Sequence, residues 1–170
     1  MKKFVVMLAL GLMIGTASFA QTAAQKLAYI DSKALLFDMP EMKKADTALK
    51  VFAKQYQDQL ESMEKEGQKK VQEYQAGEKT MSDAVKTVKM KELQDLQNRI
   101  QSFQQTADEK VGGKQQELYK PILDKANKAI NDVAKEKGYS MVFDLSNGSL
   151  LYVSESDNIL SLVKAKLGIK

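Results

Sequence analysis

The chain has no cysteine, no histidine and no tryptophan among its 170 residues. Without histidine, the commonest general base and the commonest metal ligand are both missing. Without cysteine there is no thiol nucleophile and no disulfide staple, so stability has to come from packing and assembly. Only two prolines occur, Pro40 and Pro121, and no Pro- or Ser-rich stretch divides the chain. Neither sign of charge dominates: 26 basic residues face 22 acidic ones, for a formal charge of +4. Acids and bases alternate along the chain, which argues against a nucleic-acid partner. There is no Gly-rich phosphate loop, because Gly112-Gly113 falls inside a helical pattern and reads as a hinge. No cofactor or metal ion is expected.

The first twenty residues read as a targeting segment. Met1-Lys2-Lys3 is basic, Phe4 to Ile14 is apolar, and Ser18-Phe19-Ala20 places small residues where a signal peptidase cuts. The apolar run is too short for a transmembrane anchor. Cleavage after Ala20 would leave an exported chain with a formal charge of +2, since Lys2 and Lys3 are lost from the 26 basic residues. No cysteine follows the cut, so a lipid anchor is not expected.

What dominates the rest is a long stretch from Pro40 to about Lys137. Its first half carries Met42, Ala45, Leu49, Phe52, Tyr56, Leu60, Met63, Val71 and Tyr74, with Gly67 where another apolar residue would fall. Steps of three and four keep these on one narrow helical stripe. Such a stripe is coiled-coil narrow rather than the broad face of a helix lying on a globule. The spacing predicts one helix over Pro40–Gln75, a break near Ala76–Ser82, and a second helix ending near Lys137. Val85, Val88, Leu93, Leu96, Ile100, Phe103, Ala107, Val111 and Leu118 form the second stripe. Two helices with one seam each are covered most simply by folding back on each other. Gly77 suits a left-handed residue after the first helix, and Ser82 suits the cap of the second. Gly112, Gly113 and Pro121 should interrupt and bend the second helix.

Around this hairpin the sequence predicts a small β-containing body. Lys26–Asp31 and Tyr139–Leu145 read as strands, and Ser149–Val153 as a third strand joined by an Asn147-Gly148 hairpin turn. Short helices are expected over Lys33–Phe37 and Ile159–Leu167, the latter capped by Asp157 or Asn158. The fold class is therefore α+β, mostly α. Residues 40–120 form an antiparallel helical arm, and residues 21–39 and 121–170 form the body. Strands apolar on both faces need a layer on each side, and so few residues cannot supply both. The missing layer points to a cyclic oligomer, with Leu27, Tyr29, Met141, Val142, Phe143, Leu145, Leu151 and Val153 as its core.

The order Lys26-Leu27-Ala28-Tyr29-Ile30-Asp31, Leu35-Leu36, Pro40 and Lys44-Ala45 resembles the opening of the Skp/OmpH family of periplasmic chaperones. The far end is similar too: Pro121-Ile122, Ile130, Val133-Ala134, Gly138-Tyr139, Val142-Phe143-Asp144 and Leu150-Leu151-Tyr152-Val153. Asn158-Ile159-Leu160 stands where members tend to carry an Asp, an Ile or Leu, and a Thr. The resemblance implies a periplasmic homotrimer whose arms surround a cavity. It implies that unfolded outer-membrane β-barrel proteins are held there without ATP. The arms are nearly neutral, so no lipopolysaccharide-binding residue is carried over, and membrane contact stays open.

Catalysis finds little support. The carboxylates sit at helical spacing beside lysines, as in Glu61–Lys65 and Glu66–Lys70, and read as solvated faces. Asp144 reads as a strand-end group rather than an acid catalyst. Met63, Val71, Tyr74, Met81 and Val85 are candidates for client contact, against the plainer reading that they are the hairpin's own core. The rival function is an exported coiled-coil scaffold of the cell envelope. That reading explains the rods but not the break that folds them back. An amphipathic membrane-surface protein would need a wider apolar face, and a hydrolase lacks its machinery.

Overall fold

The computed structural model describes residues 25–169 apart from residue 149; the expected signal segment lies outside the described residues. Strand β1 (Leu27–Ile30) leads into helix α1 (Ser32–Asp38). Asp31 caps α1, its carboxylate accepting from Ala34 N at 3.0 Å. Helix α2 (Pro40–Gly77) starts with proline in its first turn and Glu41 beside it, the positions that a helix N-terminus favours. Helix α3 (Asp83–Lys137) is capped by Ser82, which accepts from Val85 N. With 38 and 55 residues, the two are about 57 and 82 Å long at about 1.5 Å per residue. They pack against each other as the hairpin that the two stripes predict.

Gly138 ends α3 in the left-handed region (φ 71°), where a side chain would be strained, and the chain enters strand β2 (Met141–Asp144). Strands β1 and β2 pair in parallel, Leu27 opposite Met141 and Tyr29 opposite Phe143. Past 3-10 turns at Leu145–Asn147 and Glu155–Asp157, the chain returns beside β1, where Ile159 N donates to Tyr29 O at 3.0 Å. Helix α4 (Leu160–Leu167) closes the chain. Neither expected cap holds that position: Ile159 takes it without a side-chain bond, and Asn158, one residue before it, accepts from Leu160 N at 2.9 Å.

The core lies under one face of the sheet. Ala28, Ile30, Leu35, Met39, Ile159 and Val163 are buried there against the Ile122–Val133 face of α3. One departure from expectation lies in this helix, and for Pro121 that packing accounts for it. Gly112, Gly113 and Pro121 do not interrupt α3, which is helical throughout. Pro121 is exposed, while Ile122, Ala126, Ala129 and Val133 behind it are buried. Tertiary burial outweighs the local penalty of a lost hydrogen bond.

Two further expectations are overturned. Residues 150–153 form no strand, and Asn147-Gly148 makes no hairpin. Leu145–Asn147 is a turn of 3-10 helix, so Leu145 leaves the strand and only Gly148 takes positive φ. Nor does Gly77 adopt a left-handed cap, since Glu78 follows it in right-handed helical geometry. Gly77 instead offers bare backbone to Met81, whose Cε would lie 2.5 Å from any Cβ added there. Met81 therefore folds back over the turn and is half-buried at the arm's tip.

Gly67 falls in the seam opposite Leu96, which is buried. A Cβ at position 67 would meet Leu96 Cδ2 at 3.7 Å and Ile100 Cδ1 at 3.8 Å, ordinary contact distances. Gly67→Ala should therefore raise stability by about 1 kcal/mol through helix propensity. A urea midpoint that stayed still or fell would contradict this.

Candidate functional site

Among the described residues no three His, Cys, Asp or Glu side chains converge as a metal site, and no polar or charged residue is buried. No helix among them is long and apolar enough to cross a membrane. The chemistry on offer is apolar surface and its charged borders.

One such surface is the outer face of the sheet. Alternation along each strand puts Leu27, Tyr29, Met141 and Phe143 on that face. Met141 is 52% exposed, and Leu27 and Phe143 are nearly as open. Tyr29 is buried, because residues 150–157 pass over it and leave a shallow hollow between Phe143, Leu150, Tyr152 and Val153. Leu151 and Tyr152 project almost wholly into solvent, and Val153 is half-buried. Val142 points the other way, half-buried against the core, and Leu145 is half-buried in the turn. The face thus brings Leu27, Tyr29, Met141, Phe143 and Val153 together but not Val142. Its edge is also open: among the described residues nothing pairs with the outer side of β2.

Asp144 fixes the end of this face. Its Oδ1 accepts from Ser32 N at 3.1 Å and Ser146 N at 2.9 Å. Its Oδ2 accepts from Ser32 Oγ at 2.6 Å and Ser146 Oγ at 3.0 Å. Lys33 Nζ adds a bond to Ser146 O at 2.9 Å. The burial of the carboxylate works to raise its pKa, but the four bonds outweigh that and bring it down to about 2. One carboxylate thereby ties β2, the 3-10 turn and the start of α1 together.

The arm has its own apolar features. Tyr56 stands 5.2 Å from Phe52 and 6.0 Å from Phe103, ring centre to ring centre, across the seam. Of the residues expected to touch a client, Met63, Tyr74 and Met81 are half-buried in the hairpin, whereas Val71 and Val85 are exposed. Val88 and Met90 are more exposed still. At the root, Tyr119 donates to Asp46 Oδ1 at 2.6 Å, which raises the tyrosine's pKa, and Lys125 pairs with Glu41, which lowers the carboxylate's. Gly112 and Gly113 lie just beyond this cross-linked root, with open space where their side chains would be. Sequence periodicity passes over Phe37 and Val51, both well exposed; the signal available was their place off the stripe.

The family model for OmpH-like outer membrane proteins matches residues 26–167. The chain belongs to the OmpH-like family. It is 25% identical over 159 residues to the chaperone protein Skp of Pectobacterium atrosepticum, covering 94% of each chain. It is 30% identical to an uncharacterized protein of Aquifex aeolicus, over 98% of this chain and 96% of that one. The crystal structure of an OmpH-like outer membrane chaperone of Caulobacter crescentus superposes with a TM-score of 0.69 at 18% identity, over 85% of both chains. That OmpH-like fold is the hairpin on a small sheet described above.

In this OmpH-like chain the Asp144 clamp has a pH signature. Its pKa is depressed on folding, so its contribution is complete above the ordinary carboxylate range and is lost as pH falls from about 4 to about 2. The position is exposed and screened by solvent, which keeps that contribution to about 1 kcal/mol. Asp144→Ala should lower stability at pH 7, and the gap from the wild type should narrow across that window. A gap independent of pH in acid unfolding would refute the clamp.

Proposed function

We propose that the protein is an ATP-independent periplasmic holdase. Three copies would assemble through their bodies and enclose unfolded outer-membrane proteins between their arms, preventing aggregation. Membership of the OmpH-like family and likeness to a protein named chaperone Skp support the chaperone reading. The observation that carries the assembly is the sheet: an apolar outer face and, among the described residues, an open β2 edge and an apolar run at residues 150–153 without a strand partner. A neighbouring copy offers what each of these lacks, which is why a segment with strand composition stays irregular alone. Residues 21–39 and 121–170 then form the shared body and residues 40–120 the arm. The signal segment, residues 1–20, is taken to direct export and to be removed.

Enclosure needs no reaction centre. Exposed apolar side chains on several arms, bordered by mixed charge, hold an unfolded chain by many weak contacts. Val71 and Val85 offer such contacts directly, while Met63, Tyr74 and Met81 become available only if the hairpin loosens. Gly112 and Gly113, with open space where side chains would be and next to the pinned root, are the natural place for the arm to flex, with Pro121 at its base.

Sedimentation at micromolar concentration should return three times the chain mass, and Phe143→Asp with Leu151→Asp should reduce it to a single chain while α2 and α3 stay helical. A folded wild-type monomer would defeat the assembly. Dilution of an unfolded outer-membrane β-barrel protein from urea should give little light scattering at modest molar excess of this protein; undiminished scattering would defeat the holdase reading. Gly112→Ala with Gly113→Ala should narrow the spread of arm separations in solution scattering, and an unchanged spread would remove the hinge.

A further inference from the structure

An open groove of about 680 Å³ runs along the root of α2, between Lys43 and Gln55. Ala48, Val51 and Phe52 form its floor, Lys43 and Lys44 its near end, and Lys114 reaches in from α3. Val51 is 58% exposed. Phe37, 74% exposed, extends the apolar strip, since Lys43 Nζ lies 5.4 Å from its ring centre. Valine and phenylalanine left this open in a chain that buries its seam require an occupant or a reason.

We propose that this groove is a primary contact for client polypeptide: an extended segment whose apolar side chains lie on Val51 and Phe37 and whose carboxylates meet the lysines. The inference rests on the holdase reading and names where the client is gripped. Charge selects the occupant. No carboxylate lines the groove. The two acids nearest on α2 are turned to α3, Asp46 toward Tyr119 and Glu41 toward Lys125. Lys114 is paired with Glu117 at 2.7 Å, but Lys43 and Lys44 form no salt bridge among the described residues. Lys44 lies in the field of Glu41 and Lys43 by the Phe37 ring, but no carboxylate among the described residues bonds either, so the apolar floor is rimmed by positive charge able to take a negative partner. Its length suits an unfolded chain: three helical turns of α2, about 18 Å, match five or six extended residues. A bilayer would meet a slot rather than a broad face.

The test uses the full chain with Val51 replaced by a photoreactive phenylalanine analogue and an unfolded outer-membrane β-barrel protein diluted from urea. Irradiation should link position 51 to the client. Phe37→Ser with Val51→Ser should weaken client binding about tenfold, the size of a modest anchoring contact, with helicity and assembled mass unchanged. Lys43→Glu with Lys44→Glu should weaken it further at low salt than at high salt. Cross-links to another copy of this chain, or a changed assembled mass, would make the groove an interface between copies and overturn the proposal. Loss of binding to anionic phospholipid vesicles without loss of client binding would assign it to lipid and overturn it too. Wild-type suppression of aggregation that both double variants retain in full would sink the groove and leave the holdase reading standing. Failure of the wild type itself to suppress aggregation would overturn both.

Discussion

A helix with one narrow apolar stripe can be covered by one other helix and by little else. That constraint organises the chain. The stripes of α2 and α3 satisfy each other through contacts such as Tyr56 on Phe103, so the long hairpin needs no globule beneath it. Because most of each stripe is covered in the seam, the arms can stand away from the body as a protrusion, with Val71, Val85 and Val88 left open toward the tip. The faces turned to solvent are laced with ion pairs, Lys54–Asp58 and Glu61–Lys65 among them, each contributing little to stability but keeping the rods soluble.

The body obeys the opposite arithmetic. Its buried side chains line one face of a two-stranded sheet, under the last turns of α3 and beside α4. The other face keeps Leu27, Met141 and Phe143 in the open. Arm and body therefore differ: the arm covers most of its seam within a single chain, and the body presents a whole unfinished face at a fixed place. Asp144 sets the geometry of that place, joining the end of β2 to the start of α1 before the chain turns toward residues 150–153.

Local signals were the legible part of the sequence. Pro40 and Ser82 mark helix starts by hydrogen bonds and backbone preferences that act within a few residues, and each acts as its chemistry indicates. The two stripes revealed the hairpin because periodicity reports which side of a helix is covered. What stayed hidden depended on partners far away or absent. Residues 150–153 have strand composition, yet composition does not supply a neighbouring strand. Pro121 looked like a break because its local penalty is visible, whereas the burial of Ile122, Ala126 and Val133 that holds the helix together is not. Gly77 looked like a cap, but its use is to make room for Met81. Phe37 and Val51 escaped because a search for stripes discards whatever lies between them.

The parallel pairing of β1 with β2 carries a last implication. Lys26 and Ser140, bonded at the start of that pairing, are 114 positions apart. Closing so long a span of flexible chain would cost on the order of 4 kcal/mol in entropy. Here the intervening segment is two stiff rods joined by a tight turn, whose local contacts bring both roots to the same spot. The arm is thus the strut that sets the two strands side by side, and the small sheet inherits its register from the length of a hairpin that reaches far beyond it.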